Sequence, residues 1–136
     1  MRKIFVLVVA GLLAALSVAA LSFGGTNAAT VKVTLKEWKL VRAPATVPAG
    51  KVTFAVMNMG KLRHEMVVMR TPLAAAKLPT TTKGRVPEKG VVGEVHPLAP
   101  GASGKVTIAL TSGHYALFCN LIGHYKAGQF ADLNVK

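Results

Sequence analysis

Apolar and polar residues alternate along much of the chain, in short runs that glycine and proline residues separate. The first run begins at Val31 and reads Val-Lys-Val-Thr-Leu-Lys. This period of two is the pattern of a strand with one buried face. The same alternation predicts strands over residues 51–56, 105–110 and 115–119, and apolar runs predict strands over residues 64–69, 91–95 and 130–135.

A single helix is predicted, and it is short. Thr71 is a candidate N-cap and Pro72 a candidate first residue, followed by apolar positions over residues 73–78. The polar and basic stretch over residues 79–90 is predicted to be a loop. Many short strands with turn residues between them are typical of an antiparallel β-sandwich or barrel, so the expected fold class is all-β, with one short helix in a loop.

The first 28 residues have the features of a secretory signal peptide. Arg2 and Lys3 precede an almost wholly apolar stretch over residues 4–21, and small and polar residues follow it. We expect cleavage after Ala28, which leaves residues 29–136 as one domain exported to the periplasm or the cell exterior. An uncleaved membrane anchor is the alternative, because an apolar run of this length is near the lower limit for a span.

Basic residues outnumber acidic ones, with 17 Lys and Arg against 5 Asp and Glu and a formal net charge of +12. Residues 29–136 keep 15 of the basic residues and all 5 acidic ones, which gives a net charge of +10. This excess favours acidic redox proteins as partners, or association with an anionic membrane surface, although solubility alone also accounts for it. Nucleic acid is not expected as a partner, because the lysines are scattered, aromatic residues are few and the domain is exported.

The chain has one cysteine, Cys119, so no internal disulfide can form. A free thiol in an oxidising compartment is a liability unless something occupies it. His124 follows Cys119 by five positions and Gln129 by ten, and His64 lies far upstream at the start of its own predicted strand. Two imidazoles, one thiolate and a weak axial donor form a type 1 copper site. One bound copper ion is therefore the predicted cofactor.

At these residues the sequence resembles the cupredoxin family, the small blue copper proteins. The resemblance covers most of residues 29–136, and it is carried by the motifs Asn58-Met59-Gly60, His64-Glu65, Pro100-Gly101, Gly113-x-Tyr115-x-x-x-Cys119 and Gly123-His124. It implies an antiparallel Greek-key sandwich. It also implies that His64, Cys119 and His124 are the equatorial ligands of the copper ion.

Two positions depart from the commonest pattern of that family. Gln129 stands where most members have methionine, and its spacing is similar to that of the stellacyanins, in which glutamine supplies the axial oxygen. Gln129 is therefore the expected axial ligand. Glu65 stands where asparagine or serine is frequent. We expect Glu65 to accept a hydrogen bond from the Asn120 side chain, with exposure to solvent as the alternative.

The resemblance also implies that the electron leaves through His124, within an apolar surface patch. The candidates for that patch are Leu121, Ile122, Tyr125 and Ala127. His96 and His114 are not expected to be ligands, because His96 lies in a predicted turn and His114 faces the side of its strand opposite to Cys119. Four methionines are expected to fill the core rather than bind a second copper ion; they are Met57, Met59, Met66 and Met69.

A carrier of single electrons is the function that these features predict. A copper-binding or copper-delivery protein would use the same ligands, and zinc would bind to them without redox activity. A thiol hydrolase is not expected, because Cys119 and His124 are too close in sequence to come from separate elements, and so small a domain leaves little room for a substrate cleft. The prediction is a monomeric electron carrier and not an enzyme.

Overall fold

A computed structural model describes residues 27–136, which form two β-sheets and one short 3-10 turn. The strands are β1 (Ala29–Lys36), β2 (Lys39–Ala43), β3 (Thr46–Val47), β4 (Gly50–Asn58), β5 (His64–Arg70), β6 (Val91–Leu98), β7 (Ser103–Leu110), β8 (Gly113–Phe118) and β9 (Phe130–Val135). The predicted signal peptide lies outside the described residues, apart from its last two positions. Within residues 27–136, no helix is long and apolar enough to cross a membrane.

The strands form a sandwich of two sheets. One sheet has the order β2-β1-β4-β7 and the other the order β3-β9-β8-β5-β6. Most neighbouring strands are antiparallel, as the sequence predicts, but β1 pairs with β4 and β3 with β9 in parallel. A parallel pair needs a connection that returns the chain to the same end of the sheet, and the long segments between these strands provide it. The predicted all-β sandwich is confirmed, with mixed rather than purely antiparallel sheets.

The inward positions of both sheets form one continuous apolar core. Val33 on β1 and Phe54 on β4 are buried, while the residues beside them along each strand face outward. From the other sheet, Tyr115 and Leu117 on β8 pack into the same cluster. Burying one large apolar side chain contributes about 1.5–3 kcal/mol, so this core holds the two sheets in a fixed relation to each other.

The predicted helix over residues 73–78 is reduced to a 3-10 turn, Ala75–Lys77. Other elements satisfy the backbone groups that a further helical turn would pair: Asp132 Oδ1 accepts from the Ala75 N–H at 2.7 Å, and Tyr125 Oη accepts from the Leu78 N–H at 2.9 Å. Thr71 does not cap the turn, because its Oγ1 accepts from the Leu73 N–H. A helix this short is marginal by itself, so these tertiary bonds decide its conformation.

Candidate metal centre

His64, Cys119 and His124 come together at one end of the sandwich. His64 is the first residue of β5, and Cys119 directly follows β8. Because β5 and β8 are antiparallel neighbours, the start of β5 lies beside the end of β8. His124 lies in the ligand loop, residues 119–129, which joins β8 to β9. The pairing of two strands thus brings together residues that are far apart in the sequence.

The three side chains present their donor atoms to one point. The Nδ1 atoms of His64 and His124 lie 3.2 Å apart, and Cys119 Sγ lies 3.4 Å from His124 Nδ1. All three donor atoms lie within 4.8 Å of one another. Donors bound to one ion at the usual metal–nitrogen and metal–sulfur distances stand about 3.3–3.8 Å apart. Two of the three separations lie close to this range and the third is at most 4.8 Å, so the cluster can hold a single small metal ion.

Cys119 has the surroundings of a thiolate ligand. Burial raises the pKa of its thiol, and the Glu65 backbone N–H, which donates to Sγ at 3.4 Å, acts in the opposite direction. A hydrogen-bond donor favours the charged form of the sulfur that accepts the bond. A bound metal ion deprotonates such a thiol outright, and the Glu65 N–H then serves as a fixed donor to the thiolate.

Gln129 is fully buried beside this cluster, and the two polar atoms of its amide differ in their pairing. Its Nε2 donates to the Lys36 carbonyl at 2.8 Å, whereas its Oε1 is buried and has no hydrogen-bond partner among the described residues. Burial lowers the pKa of His124, and His64 lowers it further. The Gln129 backbone N–H donates to the His124 carbonyl at 3.2 Å, and the Gln129 carbonyl accepts from the Cys119 N–H at 3.1 Å. A buried acceptor left unpaired costs about 1–3 kcal/mol. Coordination to a metal ion would satisfy it.

Glu37 lies between β1 and β2 and positions the ligand His64. Its Oε1 lies 2.9 Å from His64 Nε2, so the proton belongs on Nε2 and Nδ1 keeps its lone pair for a metal. The same oxygen accepts from the Lys61 and Leu62 N–H groups, each at 2.8 Å, and the Leu62 bond contributes most to lowering the pKa of Glu37 to about 2. A Cβ atom at position 60 would overlap this carboxylate, so a larger residue there would displace Glu37 from these bonds.

Trp38 contacts the ring of His124 and forms part of the surface at this end of the sandwich. The two ring centroids lie 5.0 Å apart, with the planes at 79°. Trp38 is 45% exposed and Ile122 is 69% exposed, so apolar surface lies beside the half-buried His124. Of the other residues expected in this patch, Ala127 is exposed and Leu121 half-buried. Tyr125 instead lies in an apolar cluster on the side of β8 that faces away from the core between the sheets.

Glu65 and Asn120 are linked, but not by the predicted pair of groups. Glu65 Oε1 accepts from the backbone N–H of Asn120 at 3.1 Å rather than from its side chain. The Asn120 side chain bonds the Val86 backbone instead: Oδ1 accepts from the N–H at 2.7 Å, and Nδ2 donates to the carbonyl at 3.0 Å. Glu65 does not face solvent, and desolvation raises its pKa. The segments that carry His64 and Cys119 are therefore tied together through a backbone donor.

Two other histidines lie outside this cluster. His114 bonds Asp132 Oδ1 through Nε2 at 2.8 Å and the Thr71 carbonyl through Nδ1 at 2.7 Å. His96 is exposed, and its Nδ1 lies 3.4 Å from Glu94 Oε1.

Among the methionines expected in the core, two are buried and two are exposed. The buried residues are Met66 and Met69, and the exposed residues are Met57 and Met59. Core filling therefore accounts for the first two only, because β4 places Met57 on its outward face and Met59 follows the strand.

No protein-family model matches the chain, and no curated protein matches it. Several solved structures are similar to it. A dithionite-reduced auracyanin from the photosynthetic bacterium Roseiflexus castenholzii is 21% identical, with a TM-score of 0.61, over 81% of this chain and 99% of that one. Auracyanin A from Chloroflexus aurantiacus, described as a "blue" copper protein, is 19% identical, with a TM-score of 0.62, over 81% of this chain and 100% of that one. Rusticyanin from Thiobacillus ferrooxidans is 19% identical, with a TM-score of 0.56, over 81% of this chain and 79% of that one.

These neighbours are cupredoxins. The chain therefore has the cupredoxin fold, and the resemblance seen in the sequence motifs is confirmed at the level of the fold. Within that fold, His64, Cys119 and His124 form a candidate metal centre at the end of the sandwich.

Proposed function

We propose that the chain is a type 1 copper protein that carries single electrons. His64 Nδ1, Cys119 Sγ and His124 Nδ1 are the equatorial ligands, and Gln129 Oε1 is the axial ligand. The proposal rests on the convergence of the three donor atoms within 4.8 Å. The buried, unpaired Oε1 beside them supports the fourth assignment. The copper ion, when bound, supplies the chemistry by alternating between Cu(I) and Cu(II).

The chain contributes a rigid set of ligands. Glu37 fixes the ring of His64, the Glu65 N–H donates to the Cys119 sulfur, and the Lys36 carbonyl holds the Gln129 amide. Ligands held this way keep one geometry in both oxidation states, which lowers the cost of reorganisation during electron transfer. Such an enclosed site favours retention of the metal. This supports an electron carrier over a copper-delivery protein and over an enzyme.

The edge of His124 is the proposed route for the electron. Trp38 and Ile122 provide exposed apolar surface beside this half-buried ring. The net charge of +10 on residues 29–136 favours an acidic redox protein as the partner. The predicted signal peptide supports export to the periplasm or the cell exterior. There the mature domain would act as a monomer.

The visible spectrum of the copper-loaded protein tests the assignment. We expect an intense thiolate-to-copper band that is absent in Cys119→Ser and strongly altered in His124→Ala. His96→Ala is the matched control, because His96 is exposed and lies outside the cluster, and it should keep the band. A wild-type protein that stays pale with Cu(II), or a band that persists in Cys119→Ser, would contradict the proposal.

Dialysis against a copper chelator separates an electron carrier from a delivery protein. A carrier should keep its absorbance and its reversible redox response during dialysis, because the ligands are enclosed and held by neighbouring groups. Rapid loss of the band, with recovery when copper is added back, would favour delivery. A protein that takes up only zinc would have no redox response and would exclude both.

A further inference from the structure

The outward side of the four-stranded sheet carries only lysine as a charged residue. We call this surface the lysine face; it consists of the outward residues of β1, β2, β4 and β7. Its five lysines are Lys32, Lys36, Lys39, Lys51 and Lys105. All five are exposed, and none of the four strands contains Asp or Glu. The charge on the outward positions of these strands is therefore of one sign.

The residues between these lysines are small or uncharged, and they leave a shallow groove. Lys32, Ala55 and Lys105 lie in register on β1, β4 and β7, so the two lysines are about 10 Å apart with a methyl side chain between them. In the next row, Thr34, Met57 and Ser103 are paired. Together these two rows line a groove of about 570 Å³, which is open to an anionic group that both lysines can reach.

We propose that the lysine face binds the phosphate headgroups of anionic phospholipids and holds the domain on a membrane surface. The site goes beyond the proposed copper function and does not depend on a bound metal. A sheet presents its lysines in one broad plane, so several of them can approach a bilayer at the same time. Each lysine near an anionic bilayer strengthens binding about fivefold. The long side chains of the lysines extend farther from the sheet than the short side chains of the Thr, Ala and Ser residues between them.

Three features favour a bilayer over an acidic protein as the occupant. The lysines are spread over all four strands of the sheet rather than grouped around one point. The face has no acidic residue, and charges of both signs are what fix the orientation of a protein partner. A fluid lipid surface binds without such a fixed orientation. Val41 and Met57 are exposed on the same face, at 45% and 44%, and they can enter the headgroup region.

Binding through this face would leave the metal centre free. His124 lies in the loop between β8 and β9, which are strands of the opposite sheet. A domain lying on a membrane by its lysine face would therefore still present the edge of His124 to a redox partner.

Co-sedimentation with lipid vesicles tests the proposal on residues 29–136, which contain every strand and both apolar clusters. Using the metal-free protein makes the result independent of copper. We expect binding to vesicles that contain phosphatidylglycerol, little binding to pure phosphatidylcholine, and release by salt. The variant Lys32→Glu/Lys105→Glu should bind at least about 25-fold more weakly, because two lysines are lost.

The matched control is Lys83→Glu/Lys89→Glu, which changes the net charge equally at two exposed positions outside the sheet. It should weaken binding far less. Lys32→Gln/Lys105→Gln should give an intermediate loss, and circular dichroism should confirm that each variant is folded. Equal losses in both charge-reversal variants would overturn the proposal, because net charge alone would then govern binding. Failure of the wild type to bind phosphatidylglycerol vesicles, or binding only to an acidic protein, would also overturn it.

Discussion

The amide of Gln129 is held by a hydrogen bond from its nitrogen, and its oxygen is available to bind a metal ion. The Lys36 carbonyl accepts from Nε2, so the amide cannot turn over without losing that bond. This orientation leaves Oε1 as the atom without a hydrogen-bond partner among the described residues. A single backbone carbonyl of β1 therefore determines which atom of the amide is available as a ligand.

Replacing Gln129 with Met tests the axial assignment. An amide oxygen is a harder donor than a thioether, so it stabilises Cu(II) more, and the variant should have a higher midpoint potential than the wild type. Voltammetry of the two loaded proteins measures the difference. Gln129→Glu is a useful comparison, because a carboxylate should move the potential in the opposite direction. An unchanged or lower potential in Gln129→Met would count against an axial role.

Glu37→Gln tests whether the carboxylate next to His64 acts on the metal by its charge. The amide oxygen can still accept from Nε2, but the negative charge near the site is lost. A negative charge favours the more positive oxidation state, so the midpoint potential should rise in the variant while the thiolate band remains. Glu94→Gln removes a charge at an exposed position outside the site and is the matched control. Equal potentials in Glu37→Gln and the wild type would limit Glu37 to positioning the loop.

Most of the candidate ligands could be predicted from the sequence, but their supporting residues could not. Cys119, His124 and Gln129 lie in a recognisable spacing within one loop, and His64 begins its own predicted strand. Glu37 has no such signal, since it meets His64 only after the turn between β1 and β2 packs on the loop before β5. The Asn120 prediction named the correct partner and the wrong group, because backbone and side-chain donors cannot be told apart from residue types.

At the level of elements, the ligand loop is tied to the segment between β5 and β6 by Tyr125. Its hydroxyl donates to the Ala75 carbonyl at 2.7 Å and accepts from the Leu78 N–H at 2.9 Å. Its ring packs at 6.0 Å from that of Phe118. Burial raises the pKa of the phenol, so it remains a neutral donor.

Removing this hydroxyl in Tyr125→Phe should lower the free energy of unfolding by about 1–3 kcal/mol, because a buried N–H and a carbonyl lose their partner. Denaturant titration measures the change. Tyr115→Phe is the matched control: its hydroxyl donates to the carbonyl of Thr111, an exposed residue whose backbone water can hydrate. A smaller loss is expected there. Equal losses of unfolding free energy in the two variants would show that the hydrogen bonds of Tyr125 stabilise the fold no more than those of Tyr115.

The alternation of residues predicted the strands well and their pairing less well. The outward Lys32 and inward Val33 of β1 follow the period of two directly. The parallel pairing of β1 with β4 leaves no comparable trace, because direction depends on the path of the intervening chain and not on either strand. The helix was over-predicted for a similar reason, since Asp132 and Tyr125 lie more than 45 positions away from the turn that they shape.

For the whole molecule, metal binding and folding are linked. A ligand that binds only the folded state stabilises it by about 2.7 kcal/mol at one hundred times its dissociation constant. The thermal midpoint of residues 29–136 should therefore rise when Zn(II) or Cu(II) is added, and calorimetry measures the shift. In Cys119→Ser most of this shift should disappear. An equal shift in the variant would place the metal elsewhere, for example at the exposed His96.

The net positive charge should act on the rate of electron transfer. The bimolecular rate with an acidic redox protein should fall as salt is raised from low concentration, because the screening length shortens to about 8 Å at physiological ionic strength. Stopped-flow measurement with an acidic and a basic partner of similar potential tests this. The basic partner should show the opposite trend. The same trend with both partners would exclude steering by charge.

The candidate ligands are far apart in the sequence, and this separation affects the order in which the chain folds and binds a metal ion. His64 and His124 are 60 positions apart, and Gln129 reaches a carbonyl 93 positions before it. No short fragment contains both His64 and the ligand loop, so the complete set of donors forms only when β5 pairs with β8. During refolding with copper present, colour should develop only after the strands have formed. A nascent chain that has not yet released its last residues should be unable to load.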